Sequence, residues 1–298
     1  MPFHFEFVKH WRTWFALSAV LMLVAIFGIF VRGLNYGIDF TGGTQMDLRF
    51  NQTVSSTQLR GPLGQYHLSG NSTIVFVGAG HREVLITTPT ISEQTRAGLL
   101  AAFKSHVGPF SAIGTSRVSS IIGQQTEQTA LLAVLIAIAG IILYIGIRFE
   151  FRFAMAAIIS LVHTVVIAVG IVALIHISLT QYFVMAVLTV FGYAISDTII
   201  IFDRIRENLR KQKRGEALDD LVNKSLNQVL VRSINTSSTV IFALLAILVF
   251  GGSTIRDFAL TMLLGVLFGT YSSIFIASPI WLLWRNKTMP TPRKSRAA

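Results

Sequence analysis

Asp197 is the residue whose chemistry most needs an explanation. It lies in Thr189–Asn208, TVFGYAISDTIIIFDRIREN, a stretch that begins as an apolar helix and ends in Asp203, Arg204, Arg206 and Glu207. An aspartate at the centre of a membrane helix costs roughly 2.5 to 3.5 kcal/mol on insertion scales. An ion pathway, a proton relay or a fixed ion pair would offset that cost. At helical spacing Thr189, Tyr193 and Asp197 share one face, with Gly192 and Ser196 on the adjacent strip. Small residues on such a strip suit close helix contact. With Asp203 at the boundary, Asp197 lies about 9 Å deeper at 1.5 Å per residue.

A cation stands at the head of the next apolar stretch. Arg232, in the run VRSINTS, begins that stretch, and Asn235, Thr236 and Thr239 follow it at i+3, i+4 and i+7 as a polar stripe. The two stretches are joined by a loop that returns to the same surface, which puts Asp197 and Arg232 at comparable depth, within reach of each other. Two readings follow. In one, Asp197 is a static partner of Arg232 or of backbone donors and holds helices together. In the other, Asp197 gains and loses a proton and Arg232 modulates its affinity, because burial favours the neutral acid and a guanidinium the carboxylate. Thr189, Tyr193, Ser196, Asn235 and Thr236 form the supporting polar face. His163 and His176 are expected to be hydrogen-bonded packing residues. No HExxH, GxSxG or Walker A pattern is present, so no enzyme activity, cofactor or metal is expected. Energy input would come from an ion gradient or a partner protein.

The elements that must position these residues are membrane spans. The 298-residue chain is 52% hydrophobic and 13% charged, where soluble proteins carry about 25% charged residues. Six stretches are long enough to cross a bilayer: approximately 13–31, 129–147, 153–175, 181–202, 233–250 and 258–284. The first lacks a cleavage pattern and is expected to be a retained span. A net charge of +11 would suggest nucleic acid in a soluble protein. Here it reads as a topogenic signal, because with the N-terminus inside, most Lys and Arg fall on the cytoplasmic side. Trp11, Trp14, Trp281 and Trp284 flank the first and last spans as an interfacial belt. The absence of cysteine excludes disulfides and thiol chemistry.

The expected organisation is residues 1–32, a cytoplasmic N-terminus with the first span; 33–128, an extracytoplasmic domain; 129–285, five spans with a basic, partly helical, solvated or lipid-facing loop at 203–232; and 286–298, a cytoplasmic tail, disordered from Thr288. The 33–128 segment alternates strand and helix patterns. Strands are expected around Met46–Phe50, Thr73–Val77, Glu83–Thr87 and Ser111–Ser120, and helices at Ser55–Tyr66 and Ser92–His106. Gly78, Ala79 and Gly80 signal a hairpin turn. The order βαββαβ predicts a ferredoxin-like α+β domain. Ahead of it, Gly42 and Gly43 are candidate hinge residues, or an ordinary turn into the first strand. Gly265 and Gly269 predict close packing of the sixth span.

Three stretches, GYAISDTIIIFDRIREN, GIDFTGGT and FGGSTIRDFALTMLLGVLFGTYSSIFIASPI, resemble the SecF members of the SecD/SecF protein-export family, within the RND superfamily. The resemblance covers nearly the whole chain. It implies an auxiliary subunit of the Sec pathway in the bacterial cytoplasmic (inner) membrane. Such a subunit pairs with SecD, associates with the SecYEG channel and uses the proton-motive force to assist late stages of translocation. The partners implied are SecD, SecYEG, the translocating polypeptide and membrane lipids, with no nucleic acid. The family's fourth-span aspartate falls on Asp197 and its fifth-span arginine on Arg232. Ser196 stands where the family commonly has Asn, which implies a retained role with an altered proton affinity. The GQQTEQ run before the second span also departs from the family's pattern. The competing functional classes are a non-transporting membrane scaffold and an RND-type exporter of lipids or small molecules. For the exporter, a domain of about 90 residues is small.

Overall fold

The computed structural model describes residues 5–77 and 80–288. In chain order the elements are α1 (Trp11–Phe27), continued by a π-helical turn at Gly28–Arg32; β1 (Asn35–Tyr36); α2 (Ile38–Thr41); β2 (Gly43–Phe50); α3 (Ser56–Gln65); β3 (Thr73–Val77); β4 (Glu83–Thr88); α4 (Glu93–His106); β5 (Phe110–Val118); α5 (Ser120–Arg148); α6 (Phe151–Leu174); β6 (Ser178–Leu179); α7 (Gln181–Arg210); α8 (Leu218–Phe250); α9 (Ser253–Ser272), continued by a π-helical turn at Ser273–Ala277; and α10 (Ser278–Thr288). The chain forms two compact units. One holds the residues up to Asn35, Val134–Ile177 and those from Tyr182 onward. The other holds Tyr36–Ala133 together with Ser178–Gln181.

The Tyr36–Ala133 unit is built on an antiparallel sheet in the order β3-β4-β2-β5. β4 is inserted between β2 and β3, so β2–α3–β3 is a split βαβ and the arrangement is ferredoxin-like, as the sequence pattern predicts. Alternation along β2 turns Met46, Leu48 and Phe50 inward, where they meet Leu59 and Leu63 of α3 and Leu99 and Phe103 of α4. Each helix starts at a residue able to satisfy the free backbone N–H groups of its first turn. Ser55 forms a capping box with Gln58, and the Ser92 hydroxyl accepts from the Thr95 N–H at 3.1 Å. Of the expected hairpin turn, Gly78 and Ala79 lie outside the described residues, as do residues 289–298 of the expected tail.

Gly42 and Gly43 lie in a closely packed turn. Their φ values are +72° and +143°, a region side chains rarely adopt. A Cβ on Gly42 would stand 2.8 Å from the Ser120 nitrogen, and one on Gly43 would stand 2.7 Å from the Thr88 carbonyl oxygen.

The other unit contains most of each membrane helix. Among the described residues six helices are long and apolar enough to span a bilayer: Trp11–Arg32, Ser120–Arg148, Phe151–Leu174, Gln181–Arg210, Leu218–Phe250 and Ile255–Lys287. The third, fourth and sixth form the interior, while little of the first, second and fifth is buried. Small residues set the close contacts. Gly170 of the third span lies against Ala25 of the first, and Gly265 and Gly269 of the sixth lie against Val190 and Ala194 of the fourth, as the spacing of the two glycines predicts. At one end Trp281 stacks on Phe153 with ring centroids 4.5 Å apart.

Helix extends beyond the apolar runs in two places. α5 starts at Ser120, so the GQQTEQ run is helical. The 203–232 segment, expected to be helical in part, is mostly helix, since α7 runs to Arg210 and α8 starts at Leu218, leaving only 211–217 to connect them. Polar pairs hold these extensions side by side: Asn208 donates to Ser225 (2.7 Å) and Gln228 (2.8 Å), and Arg204 donates to Gln228 (2.7 Å). The start of α8 is also docked rather than solvated, since Asn223 accepts from the Val8 N–H at 3.0 Å and Asn227 donates to the Phe5 carbonyl at 2.9 Å.

Candidate functional site

Asp197 is 8% exposed. Its Oδ1 accepts a hydrogen bond from the Ser233 hydroxyl of α8. Its Oδ2 has no hydrogen-bond partner among the described residues. A half-satisfied buried carboxyl calls for an explanation, because nearly all buried polar atoms are paired. The site therefore joins α7 to α8 through one hydroxyl and leaves one oxygen for a proton or for a group outside this chain.

Arg232 is not the partner within this chain. Adjacent helix residues lie about 100° apart, so Ser233 facing α7 turns Arg232 to the side. Arg232 is exposed and lines a cleft of about 370 Å³ together with Asp203, Arg204, Glu207 and Gln228. Asn235 and Thr236 are exposed on the same face of α8 as Arg232, and Thr189 and Ser196 are exposed on α7. The hydroxyls of Thr189 and Thr236 donate to the carbonyls four residues back, Met185 at 2.7 Å and Arg232 at 2.8 Å. Tyr193 alone of the supporting residues turns inward, donating to Ser237 at 2.9 Å.

A second polar layer surrounds Asp197, and sequence reasoning had singled out only part of it. Ser237, one turn beyond Ser233, lies 2.6 Å from the Thr270 hydroxyl of α9. Thr198, next to Asp197, lies 2.7 Å from the Ser273 hydroxyl. His163 is buried, with Nδ1 2.6 Å from the Ser272 hydroxyl, and its Nε2 has no partner among the described residues. The i, i+4 spacing of Ser233 and Ser237 was the available signal, hidden beside the more conspicuous Arg232 stripe.

Asp39 is a further polar residue to which the sequence reading gave no role. Its Oδ2 accepts from the Gln181 backbone N–H at 2.9 Å, capping the helix that carries Asp197. The two lie 142 positions apart, so no local pattern connects them.

Six spanning helices, a ferredoxin-like domain after the first, and a carboxyl buried between the fourth and fifth define a multi-pass membrane protein with an intramembrane acidic site. Comparison with known proteins gives the family. Residues 99–287 match the model for the C-terminal region of protein export membrane protein SecD/SecF, and residues 27–54 match the SecD/SecF GG motif. The protein translocase subunit SecF of Sebaldella termitidis is 36% identical, with 97% of this chain and 95% of that one covered. That of Acidaminococcus fermentans is 38% identical, over 95% and 98% of the two chains. The crystal structure of SecDF from Thermus thermophilus, described as a translocon-associated membrane protein, superposes with a TM-score of 0.88 at 36% identity. The match covers 95% of this chain and 39% of that one. The chain belongs to the SecD/SecF family of protein-export membrane proteins.

Proposed function

We propose that this chain is an auxiliary subunit of the Sec export machinery that, with SecD, uses the proton-motive force to promote late stages of polypeptide translocation. The observation that carries the reading is Asp197, a buried intramembrane carboxyl with one oxygen held by Ser233 and the other unpartnered among the described residues. Intramembrane carboxyls are costly, and proton relays are among the functions that retain them. The charged and the neutral forms of Asp197 differ in the strength of the bond they accept from Ser233. Alternation between the two forms would bias how α7 and α8 pack.

Partner chemistry follows from exposed polar groups. Thr189, Gly192 and Ser196 of α7 and Arg232, Asn235, Thr236 and Thr239 of α8 are exposed on the spanning unit. Lipid chains offer such groups no hydrogen bonds, whereas a neighbouring protein does. We assign this surface to SecD, with Arg232 acting across that interface on the partner rather than on Asp197 directly. The SecDF of Thermus thermophilus, of which this chain covers 38% by sequence, supports the pairing. Charge asymmetry supports a chain with both termini cytoplasmic in the bacterial inner membrane, with the 33–128 domain periplasmic, where it would meet the translocating polypeptide near SecYEG.

The test is Asp197→Asn, measured in vesicles containing SecD and SecYEG with and without a proton gradient. The variant is expected to assemble at the native level and to lose the gradient-dependent part of export. Full stimulation with the amide at equal expression would overturn the proton-carrier role and leave a scaffold.

A further inference from the structure

Thr270, Tyr271, Ser272 and Ser273 are four consecutive residues whose side chains bond to four different spans. Thr270 meets Ser237 of the fifth span at 2.6 Å. Tyr271 lies 3.0 Å from the Ser18 hydroxyl and donates to the Trp14 carbonyl at 2.9 Å, both on the first span. Ser272 meets His163 of the third span at 2.6 Å. Ser273 meets Thr198 of the fourth at 2.7 Å and donates to the Ala194 carbonyl at 3.3 Å. At roughly 100° per residue, four residues sweep most of a helix circumference. A helix surrounded by others can therefore address each neighbour from one turn. The π-helical turn begins within this set, at Ser273, and such turns recur at functional sites.

Asp197 is connected to this turn twice. Along α7, the next residue, Thr198, is bonded to Ser273. Across to α8, Ser233 holds the carboxyl, the Ser237 hydroxyl donates to the Ser233 carbonyl at 2.8 Å, and Ser237 meets Thr270. The two residues between these contact points, Tyr271 and Ser272, hold the first and third spans.

We propose that Thr270–Ser273 are positioning residues that convert a change in the protonation of Asp197 into movement of the sixth span against the first and third. The inference rests on the proton-carrier reading of Asp197 and adds where its effect goes. When the carboxyl gains a proton, the Ser233 hydroxyl faces a neutral acid in place of an anion, and that bond weakens. α7 and α8 then settle at a new spacing. Because interiors are close-packed, a shift is passed on as repacking instead of being absorbed locally. Residues 270 and 273 sense the spacing of α8 and α7, and residues 271 and 272 pass it on. The two ends are joined by contacts on one helix, a contiguous physical network of the kind that carries coupling between sites.

The chain contains no cysteine, so two introduced thiols report without background. Leu17 on α1 and Leu267 on α9 are both 45% exposed. In the SecD-bound complex in lipid vesicles, spin labels on Leu17→Cys and Leu267→Cys read the separation of the first and sixth spans. A proton gradient is expected to change that distance in the native chain, and Asp197→Asn, which fixes the neutral form, is expected to remove that change. Thr198→Val with Thr270→Val, which removes hydroxyls at nearly constant volume, is expected to abolish the change. It should also lower gradient-driven export by about threefold for each hydroxyl removed, the factor that one intramembrane hydrogen bond represents. Thr198→Ser with Thr270→Ser, which keeps both hydroxyls, should restore the change and serves as the folding control.

An undiminished distance change in the valine pair would overturn the proposal. So would the absence of any change in the native turn while Asp197→Asn still abolishes gradient-driven export. If Asp197→Asn alters neither the distance change nor export, the proton-carrier reading itself falls, and this inference with it.

Discussion

Ser233→Ala tests the geometry of the acidic site most directly, because the size of its effect depends on the charge state of Asp197. The substitution removes one oxygen from a residue that is 3% exposed and deletes the hydrogen bond to Asp197 Oδ1. Alanine fits the same space, so the loss is that of the bond. Neutral hydrogen bonds between membrane helices average about 0.6 kcal/mol. Bonds to a charged group contribute about 1.5 to 3 kcal/mol. A destabilisation near the lower value would show that the resting acid is neutral, and one above about 1.5 kcal/mol that it is ionised. The assay is reversible unfolding in mixed micelles of four proteins: native, Ser233→Ala, Asp197→Asn and the double variant. The cycle isolates the Ser233–Asp197 interaction from any general effect of losing a hydroxyl. A neutral acid and an amide oxygen accept comparably, so a neutral Asp197 gives a coupling near zero alongside a real single-variant loss. An ionised Asp197 gives a coupling of roughly 1 to 2 kcal/mol. If Ser233→Ala unfolds exactly as the native protein does, the bond contributes nothing and the account of how α7 and α8 are joined at Asp197 is wrong.

Two further outcomes follow from the same contacts. Gly265→Ala places a Cβ inside the space of the Val190 side chain and is expected to destabilise by about 1 to 3 kcal/mol, the usual range for overpacking. Adding Val190→Ala should recover most of that loss in thermal unfolding, and a fully stable Gly265→Ala would refute the close approach of the fourth and sixth spans. Asp39→Ala removes the carboxylate that accepts from the Gln181 N–H. Loss of a helix cap costs about 1 kcal/mol, so hydrogen exchange at the Gln181 amide should quicken about fivefold, and unchanged exchange would show that the cap is not formed in solution.

Most of the architecture is legible in the sequence. The spans follow from runs of apolar residues, and the ferredoxin-like domain from an alternation of two-residue and 3.6-residue periods, both of which are local signals. Ser55 and Ser92 as helix starts, and Gly265 and Gly269 as contact points, were equally local. The helical extension of α7 to Arg210 was harder to see. Its last turns are charged and gain their helical support from pairing with α8, through Asn208 and Arg204.

Asp197 itself was identifiable because a carboxyl in an apolar run is conspicuous in one dimension. Its partner was not. The residues near 232 carry two polar faces, Arg232 with Asn235 and Thr236, and Ser233 with Ser237. A helical wheel separates those faces but leaves open which one turns inward, since that phase is set by the packing of neighbouring helices. Tertiary structure chose the serine face and left the arginine face exposed. The bond from Asp39 to Gln181 and the four-way contacts of Thr270–Ser273 were likewise decided only on folding. Sequence records which residues are neighbours along the chain, whereas these contacts join helices through rotations that no single segment encodes.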